Sequence, residues 1–313
     1  MNLTDPIFAD ADKAREHLEA TRWPHGAICP HCGSVGEATK LQGRAARPGV
    51  WQCNACREQF TVTVGTVFER SKVPLNKWLL ATYLMSSSKK GVSAHQLHRT
   101  LGVTYKTAWF MAHRIREAMT PSDTGPFGRG GATVEADETF LGTDTDAPKN
   151  SKGRRTMKQM MKVVSLIERE TGRSRSFVID TYSKKEIVAV VNANVHREAK
   201  LITDESHMYT EVGKTFRSHE TVNHSRDEYV RKNDPTITTN TIEGFFSVFK
   251  RGMKGVYQHC GKQHLQRYLT EFDFRYTFRS ALGVSDTMRA DEALRGIAGK
   301  RLTYRRVGEA AYA

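Results

Sequence analysis

Ala132–Leu141, ATVEADETFL, alternates apolar and polar residues and predicts a β-strand with Asp137 near its middle and Glu135 and Glu138 beside it. Downstream, Lys162–Ile167 and Arg173–Ile179 predict two more strands, joined by Glu168–Gly172 as a hairpin with glycine in its turn. Between them and the first strand, Gly142–Gln159 is polar and basic, with Lys149, Lys152, Arg154 and Arg155, and reads as a loop. Lys184–Ala193 predicts a helix, and Lys200–Thr203 a short strand ending at Asp204. Thr239–Gly252, TNTIEGFFSVFKRG, completes the series. Thr239, Asn240 and Thr241 are N-cap candidates. Ile242, Phe245, Phe246 and Phe249 recur at helical spacing as one apolar stripe. Glu243, Ser247 and Lys250 share another face, which presents one carboxylate and, two turns on, one ammonium.

Strand, hairpin, helix, strand, helix is the order of an RNase H-like α/β fold, in which acids at these places converge at one edge of the central sheet. Asp137, Asp204 and Glu243 are therefore expected to meet. Adjacent carboxylates repel one another unless cations neutralise them. Oxygen ligands select a hard ion, Mg2+ or Mn2+. Two such ions about four ångströms apart activate a water or a 3′-hydroxyl and stabilise the departing oxygen of an in-line displacement. Lys250 suits the phosphate. Glu135 and Glu138 are expected to play supporting or structural parts.

Upstream, Pro121–Gly131 carries two prolines and four glycines and predicts a linker. Before it the chain reads as helical from Pro74 to Met119. Ser93–Leu101 is a short helix, Gly102-Val103 a turn, and Thr104–Trp109 opens a longer helix, the pattern of a helix-turn-helix. Its second helix would offer Tyr105, Lys106 and Thr107 to base edges. Lys89, Lys90, Arg99, His113 and Arg114 are candidates for phosphates. Further back stand two knuckles, Cys29-Pro-His-Cys32 and Cys53-Asn-Ala-Cys56, with strand-like pieces at Gly49–Gln52 and Gln59–Val64. Two C-x-x-C pairs give a closed tetrahedral four-sulfur site, so the expectation is a structural Zn2+ in a zinc ribbon. His31, inside the first knuckle, is expected to be exposed. Asp10–Thr21 predicts a short amphipathic helix.

Gln258–Leu282 reads as helical, and two basic stretches, His264–Tyr268 and Lys300–Arg306, suit phosphates. The chain of 313 residues carries a net charge of +14, which favours a polyanionic partner such as double-stranded DNA. Its start is polar and acidic, not that of a signal peptide, and its longest nearly apolar run, Trp78–Met85, is too short for a bilayer. These features predict a cytoplasmic, nucleoid-associated protein. The expected domains are an N-terminal helix (1–22), the zinc ribbon (23–66), the helix-turn-helix (72–120), the linker (121–131), the catalytic domain (132–282) and a basic tail (283–313).

Val134–Phe140, VEADETF, resembles the first-aspartate motif of bacterial DDE insertion-sequence transposases of the ISXO-like, zinc-ribbon-bearing group. Asn240–Gly244, NTIEG, with Lys250 beyond it, is similar to that group's third-acid motif. His264–Tyr268 with Glu271-Phe272, and Gly299–Arg305, look like its C-terminal elements. The resemblance implies strand cleavage and strand transfer at element ends, with Asp137, Asp204 and Glu243 as metal ligands and Lys250 beside them. It also implies terminal inverted repeats and target DNA as partners, and a homodimer on DNA. Arg251, Arg267, Lys300, Arg301 and Arg305 are further DNA-contact candidates. Two rivals are a catalytically inactive DNA-binding regulator and a tyrosine recombinase built on His264, Arg267 and Tyr304. The recombinase leaves the three acids unexplained. Metal dependence separates it from a DDE enzyme, and any cleavage excludes the regulator.

Overall fold

The computed structural model describes residues 2–43, 46–144, 147 and 156–303. The chain forms two compact units. One comprises Met1–Ser88, Val92–Thr120 and Val284–Ala313; the other comprises Lys89–Gly91 and Pro121–Gly283.

In the first unit, α1 (Ala11–Arg22) begins at Asp10, whose carboxylate accepts the N–H groups of Asp12 and Lys13, and it buries Ala14 and Leu18. Three short antiparallel strands follow in the order β1 (Ala38–Lys40), β2 (Trp51–Cys53) and β3 (Gln59–Phe60). The sequence predicted the second and third of these strands, not β1. Trp23 sets its ring edge-on to Trp51 and Phe60, which gives this small sheet apolar support.

Three helices come next: α2 (Leu75–Ser87), α3 (Ala94–Leu101) and α4 (Tyr105–Ala118). Gly102 closes α3 in the left-handed conformation at φ 59°, which a side chain would resist. Thr104 caps α4 by accepting the Thr107 N–H. Helix α4 is covered on more than one side, so His113 and Arg114 are buried. That corrects their assignment to phosphates. The Arg114 guanidinium donates to the Glu69 carbonyl and lies over the rings of Trp78 and Phe110.

The second unit is a mixed α/β domain. Its strands are β4 (Thr133–Leu141), β5 (Met161–Glu168), β6 (Ser174–Ile179), β7 (Lys200–Thr203) and β8 (Ser218–Thr221). They lie in the order β6-β5-β4-β7-β8. β5 runs antiparallel to both β6 and β4, whereas β7 runs parallel to both β4 and β8. Helices α5 (Lys184–Asn194) and α6 (Thr210–Gly213) belong to the core on one face, with Val134, Ala136, Leu201 and Tyr209. A two-stranded ribbon, β9 (Val230–Arg231) and β10 (Asp234–Thr238), leads into α7 (Asn240–Gly252) and then α8 (Lys262–Thr277). The phenylalanine stripe of α7 joins Val163, Ile167, Leu269 and Phe272 in the core on the opposite face.

Three boundaries differ from expectation. The stretch 121–131 belongs to the second unit and inserts Phe127 into its core. Phe127 is buried under the guanidinium groups of Arg173 and Arg175, and its N–H and C=O pair with Asn194 and His196. The predicted helix over Gln258–Leu282 begins only at Lys262, because Gln258 adopts a left-handed φ of 58°. The basic tail contains α9 (Asp286–Arg295), capped by Ser285, with Ala290, Ala293 and Leu294 buried. It belongs to the first unit, where the Val67 N–H donates to the Ile297 carbonyl. Lys149, Lys152, Arg154, Arg155, Tyr304, Arg305 and Arg306 lie outside the described residues.

Candidate active site

Strand alternation puts Glu135 and Asp137 on the α7 face of β4, and Ala136 and Glu138 on the face that carries Tyr209. Strand β7 pairs with β4 only as far as Ile202↔Glu135 and stops at Thr203. Asp204, the next residue, therefore leaves the sheet beside Asp137 and Glu138. Its carboxylate accepts the Ser206 N–H at 3.0 Å, a turn that fixes its direction. Each of Asp137, Glu138 and Asp204 offers a carboxylate oxygen within 4.8 Å of the other two.

Crowding and burial show in the titration of these groups. Desolvation, then the charges of Glu138 and Asp204, push Asp137 up to about 8. Desolvation lifts Glu138 to about 7, although the neighbouring Tyr209 hydroxyl favours its charged form. Desolvation also raises Asp204. Glu138 Oε1 is buried without a hydrogen-bond partner. Three converging carboxylates, one with an unmet buried oxygen, fit a hard divalent cation through oxygen donors alone.

Glu243 comes from the first turn of α7 and is not a member of that group. Its Oε1 accepts the Thr239 hydroxyl at 2.9 Å and lies 3.3 Å from His224 Nε2. Its charge nevertheless contributes to raising Asp137. The segment holding His224 is fastened next to Asp204. Glu205 accepts the N–H groups of His224 and Ser225 and the Ser225 hydroxyl, which draws its carboxyl down to about 2.

Helix α7 itself is anchored to β4. Glu135, wholly buried, accepts the Ile242 N–H at 2.8 Å and pairs with Arg169. Arg169 also donates to the carbonyls of Thr236 and Thr238. The acceptor for α7's N-terminus is thus a carboxylate 107 residues away, not a side chain of Thr239, Asn240 or Thr241.

Sequence reasoning brought Asp137, Asp204 and Glu243 into view and missed Glu205 and His224; the structure sets Glu138 beside Asp137 and Asp204. One signal was available. Each of the first two acids is followed at once by a glutamate, Asp137-Glu138 and Asp204-Glu205. Nothing in the sequence around His224 marks it.

The four knuckle cysteines form a second cluster. Sγ–Sγ separations are 3.7 Å for Cys29–Cys56 and 3.6 Å for Cys32–Cys53. A tetrahedral zinc with bonds of about 2.3 Å sets its sulfurs about 3.8 Å apart, so the site fits the ion. The backbone N–H of Cys56 holds the Cys53 thiol down to about 6, and the Ser34 hydroxyl lowers Cys32. Both effects favour the thiolate that zinc requires, while desolvation and the neighbouring thiols raise Cys56. His31 is exposed, as expected.

The remaining candidates are scattered. Tyr105 is exposed and stacks on His95 at 4.3 Å, and Lys106 beside it is exposed. The Thr107 hydroxyl is engaged with Thr104 at 2.8 Å. Lys250 and Arg251 are exposed at the end of α7, with Arg251 folded onto the Ser247 carbonyl and hydroxyl. Arg267 is half-buried on α8, 3.4 Å from His264 Nδ1. Lys300 departs from its expected role. Its ammonium donates to the carbonyls of Ala118 and Thr120, where it closes the C-terminus of α4. Arg301 is exposed.

A zinc ribbon ahead of a mixed α/β domain with acids gathered at the end of β7 fits the architecture of a DDE catalytic domain. Residues 129–277 match the ISXO2-like transposase domain, and residues 9–59 match the transposase zinc-ribbon domain. Both stretches are thus similar to the domains of insertion-sequence transposases. An uncharacterized protein in transposable element ISH50 of Halobacterium salinarum is 26% identical over 283 residues, 86% of this chain and 91% of that protein. A structure of a simian T-cell lymphotropic virus intasome with the PP2A regulatory subunit B56 gamma aligns at 12% identity. That alignment covers 56% of this chain and 63% of the solved one, with a TM-score of 0.29. No helix among the described residues is long and apolar enough to cross a membrane.

Proposed function

We propose that this protein binds the ends of its insertion sequence and catalyses metal-dependent DNA strand cleavage followed by strand transfer. The observation that carries the reading is the meeting of Asp137 and Asp204 at the end of β7, with Glu243 close enough to perturb Asp137. Magnesium or manganese, when bound, would supply charge stabilisation at the phosphodiester and a nucleophile at neutral pH. Asp137 and Asp204 would hold it, with Glu243 completing the set from α7. Thr239 and His224 keep the Glu243 carboxylate in one orientation. Lys250, exposed two turns further along α7, would meet a phosphate.

DNA is the partner that the charge of +14 favours. Tyr105 and Lys106 at the start of α4 are the base-contact candidates. Arg251, Arg267 and Arg301 are phosphate candidates, and Arg305 joins them from the sequence alone. Two copies acting together on paired ends complete the proposal, with the cytoplasm as the place of work.

The test is supercoiled plasmid bearing the inverted repeats, incubated with full-length protein in Mg2+ and in EDTA. Asp137→Ala, Asp204→Ala and Glu243→Ala should each abolish cleavage and transfer while end binding survives. Lys250→Ala should keep partial activity. Tyr304→Phe should keep most cleavage, because water and not tyrosine attacks. Cleavage that persists in EDTA, or that needs Tyr304 and not Glu243, would refute the mechanism.

A further inference from the structure

Glu138, half-buried with one carboxylate oxygen wholly covered, differs from the buried acids described in the catalytic unit. Glu135 is met by Arg169 and the Ile242 N–H, and Asp273 by the hydroxyls of Ser174 and Ser176. Glu138 Oε1 is buried and faces no donor but the Tyr209 hydroxyl. Facing it is Tyr209, wholly buried, whose hydroxyl acts on the Glu138 carboxylate and has no other partner among the described residues. A buried carboxylate oxygen served by a single phenol is costly in a protein interior. The cost is understandable where the carboxylate's true partner is a cation and the phenol orients the carboxylate toward it.

The backbone shows how this arises. Asp137 and Glu138 leave β4 on opposite faces, yet both reach Asp204, because β7 ends at Thr203 and leaves Asp204 at the level of the sheet. The tight carboxylate group is Asp137, Glu138 and Asp204. Glu243 stands apart from it, on the Asp137 face, engaged with Thr239 and His224.

We propose that Glu138 completes the tighter of two hard-cation sites with Asp137 and Asp204, that Tyr209 is its positioning residue, and that Glu243 serves the second site. The ligand class is a divalent hard cation, Mg2+ or Mn2+, taken by oxygen alone. The assignment rests on the metal-dependent reading given above, and its test separates the two.

Full-length protein, free of DNA, is titrated with Mn2+ alone, and unbound Mn2+ is read by its paramagnetic resonance signal. Glu138→Gln keeps the shape and removes a ligand charge. It should weaken the tighter site by about tenfold or more, whereas Glu243→Gln should leave that site within about twofold. Tyr209→Phe keeps both shape and charge and should weaken the same site by about tenfold, through loss of orientation. Melting curves confirm that each variant is folded, and the Tyr209 variant carries the test if Glu138→Gln is not. Wild-type affinity in both Glu138→Gln and Tyr209→Phe, with loss in Glu243→Gln, overturns the assignment. Wild-type affinity in Asp137→Asn overturns the metal-dependent reading itself, and this assignment with it.

Discussion

Asp137 and Glu138 bring their charges to Asp204 in a largely buried setting, and their folded values of about 8 and about 7 stand above ordinary values of 3.8 and 4.5. The folded state therefore holds protons that the unfolded chain has given up. The stability this contributes is full below the unfolded values and is lost as pH rises through the folded ones. In EDTA, Asp137→Asn, which mimics the neutral acid, should melt close to wild type near about pH 4. It should melt above wild type near about pH 9. Saturating Mn2+ should reverse that order at high pH, since only the wild-type carboxylate gains a cation. A variant that melts below wild type in EDTA at high pH contradicts the account. Asp137 was legible in the sequence because an acid in the middle of an alternating strand is conspicuous. Glu138 was not, because adjacent residues on a strand point apart and only the end of β7 lets one aspartate serve both. That is a property of a neighbouring strand's length, invisible in the motif.

Helix α7 illustrates how an element can be legible while its anchoring is not. Its apolar stripe and its acid followed from spacing. Its N-terminal acceptor came from Glu135, on a strand far back in the chain. Glu135→Ala should cost about 3 kcal/mol or more, because it removes the acceptor for the Ile242 N–H and leaves Arg169 without its carboxylate. Glu135→Gln, which keeps an acceptor, should cost less. Cleavage should fall in step, since α7 carries Glu243. Urea unfolding beside plasmid cleavage measures both, and an Ala variant as stable as wild type would remove Glu135 from this role. Helix α4 gives the opposite lesson. A basic residue near a presumed DNA face was read as a phosphate contact, yet Arg114 is buried under Trp78 and Phe110. Arg114→Ala should therefore destabilise by about 2 kcal/mol through lost stacking and a lost hydrogen bond. Lys106→Ala should change stability by less than about 0.5 kcal/mol and instead reduce discrimination between element ends and random DNA.

At the scale of the molecule, the ribbon and the α/β domain were both written plainly, one in cysteine spacing and the other in the order of strands, helices and acids. The C-terminal stretch reads as a tail in the sequence because its basic run outweighs the short helical stripe of Ala290, Ala293 and Leu294 that follows the Ser285 cap. The two units also differ in what holds them together, and this leads to a distinct outcome for metal removal. The ribbon has three strands of two or three residues and a small aromatic cluster around Trp23. Apolar burial on that scale is too small to order a sheet without its ion. The catalytic unit has a five-stranded sheet with a separate core on each face, and no cysteine of the zinc cluster belongs to it. Stripping zinc with a chelator, or making Cys53→Ser, should thus abolish amide-exchange protection across β1, β2 and β3. Protection in β4, β5 and β7 should stay near its starting level. Metal analysis of the untreated protein should give about one zinc per chain. End recognition should weaken, while the Mn2+ affinity of the carboxylate cluster should be unchanged, because its ligands sit on β4 and just beyond β7. Protection that survives in the ribbon after complete zinc removal would show that its aromatic cluster suffices. Loss of protection across β4 and β7 would show instead that the catalytic unit leans on the zinc.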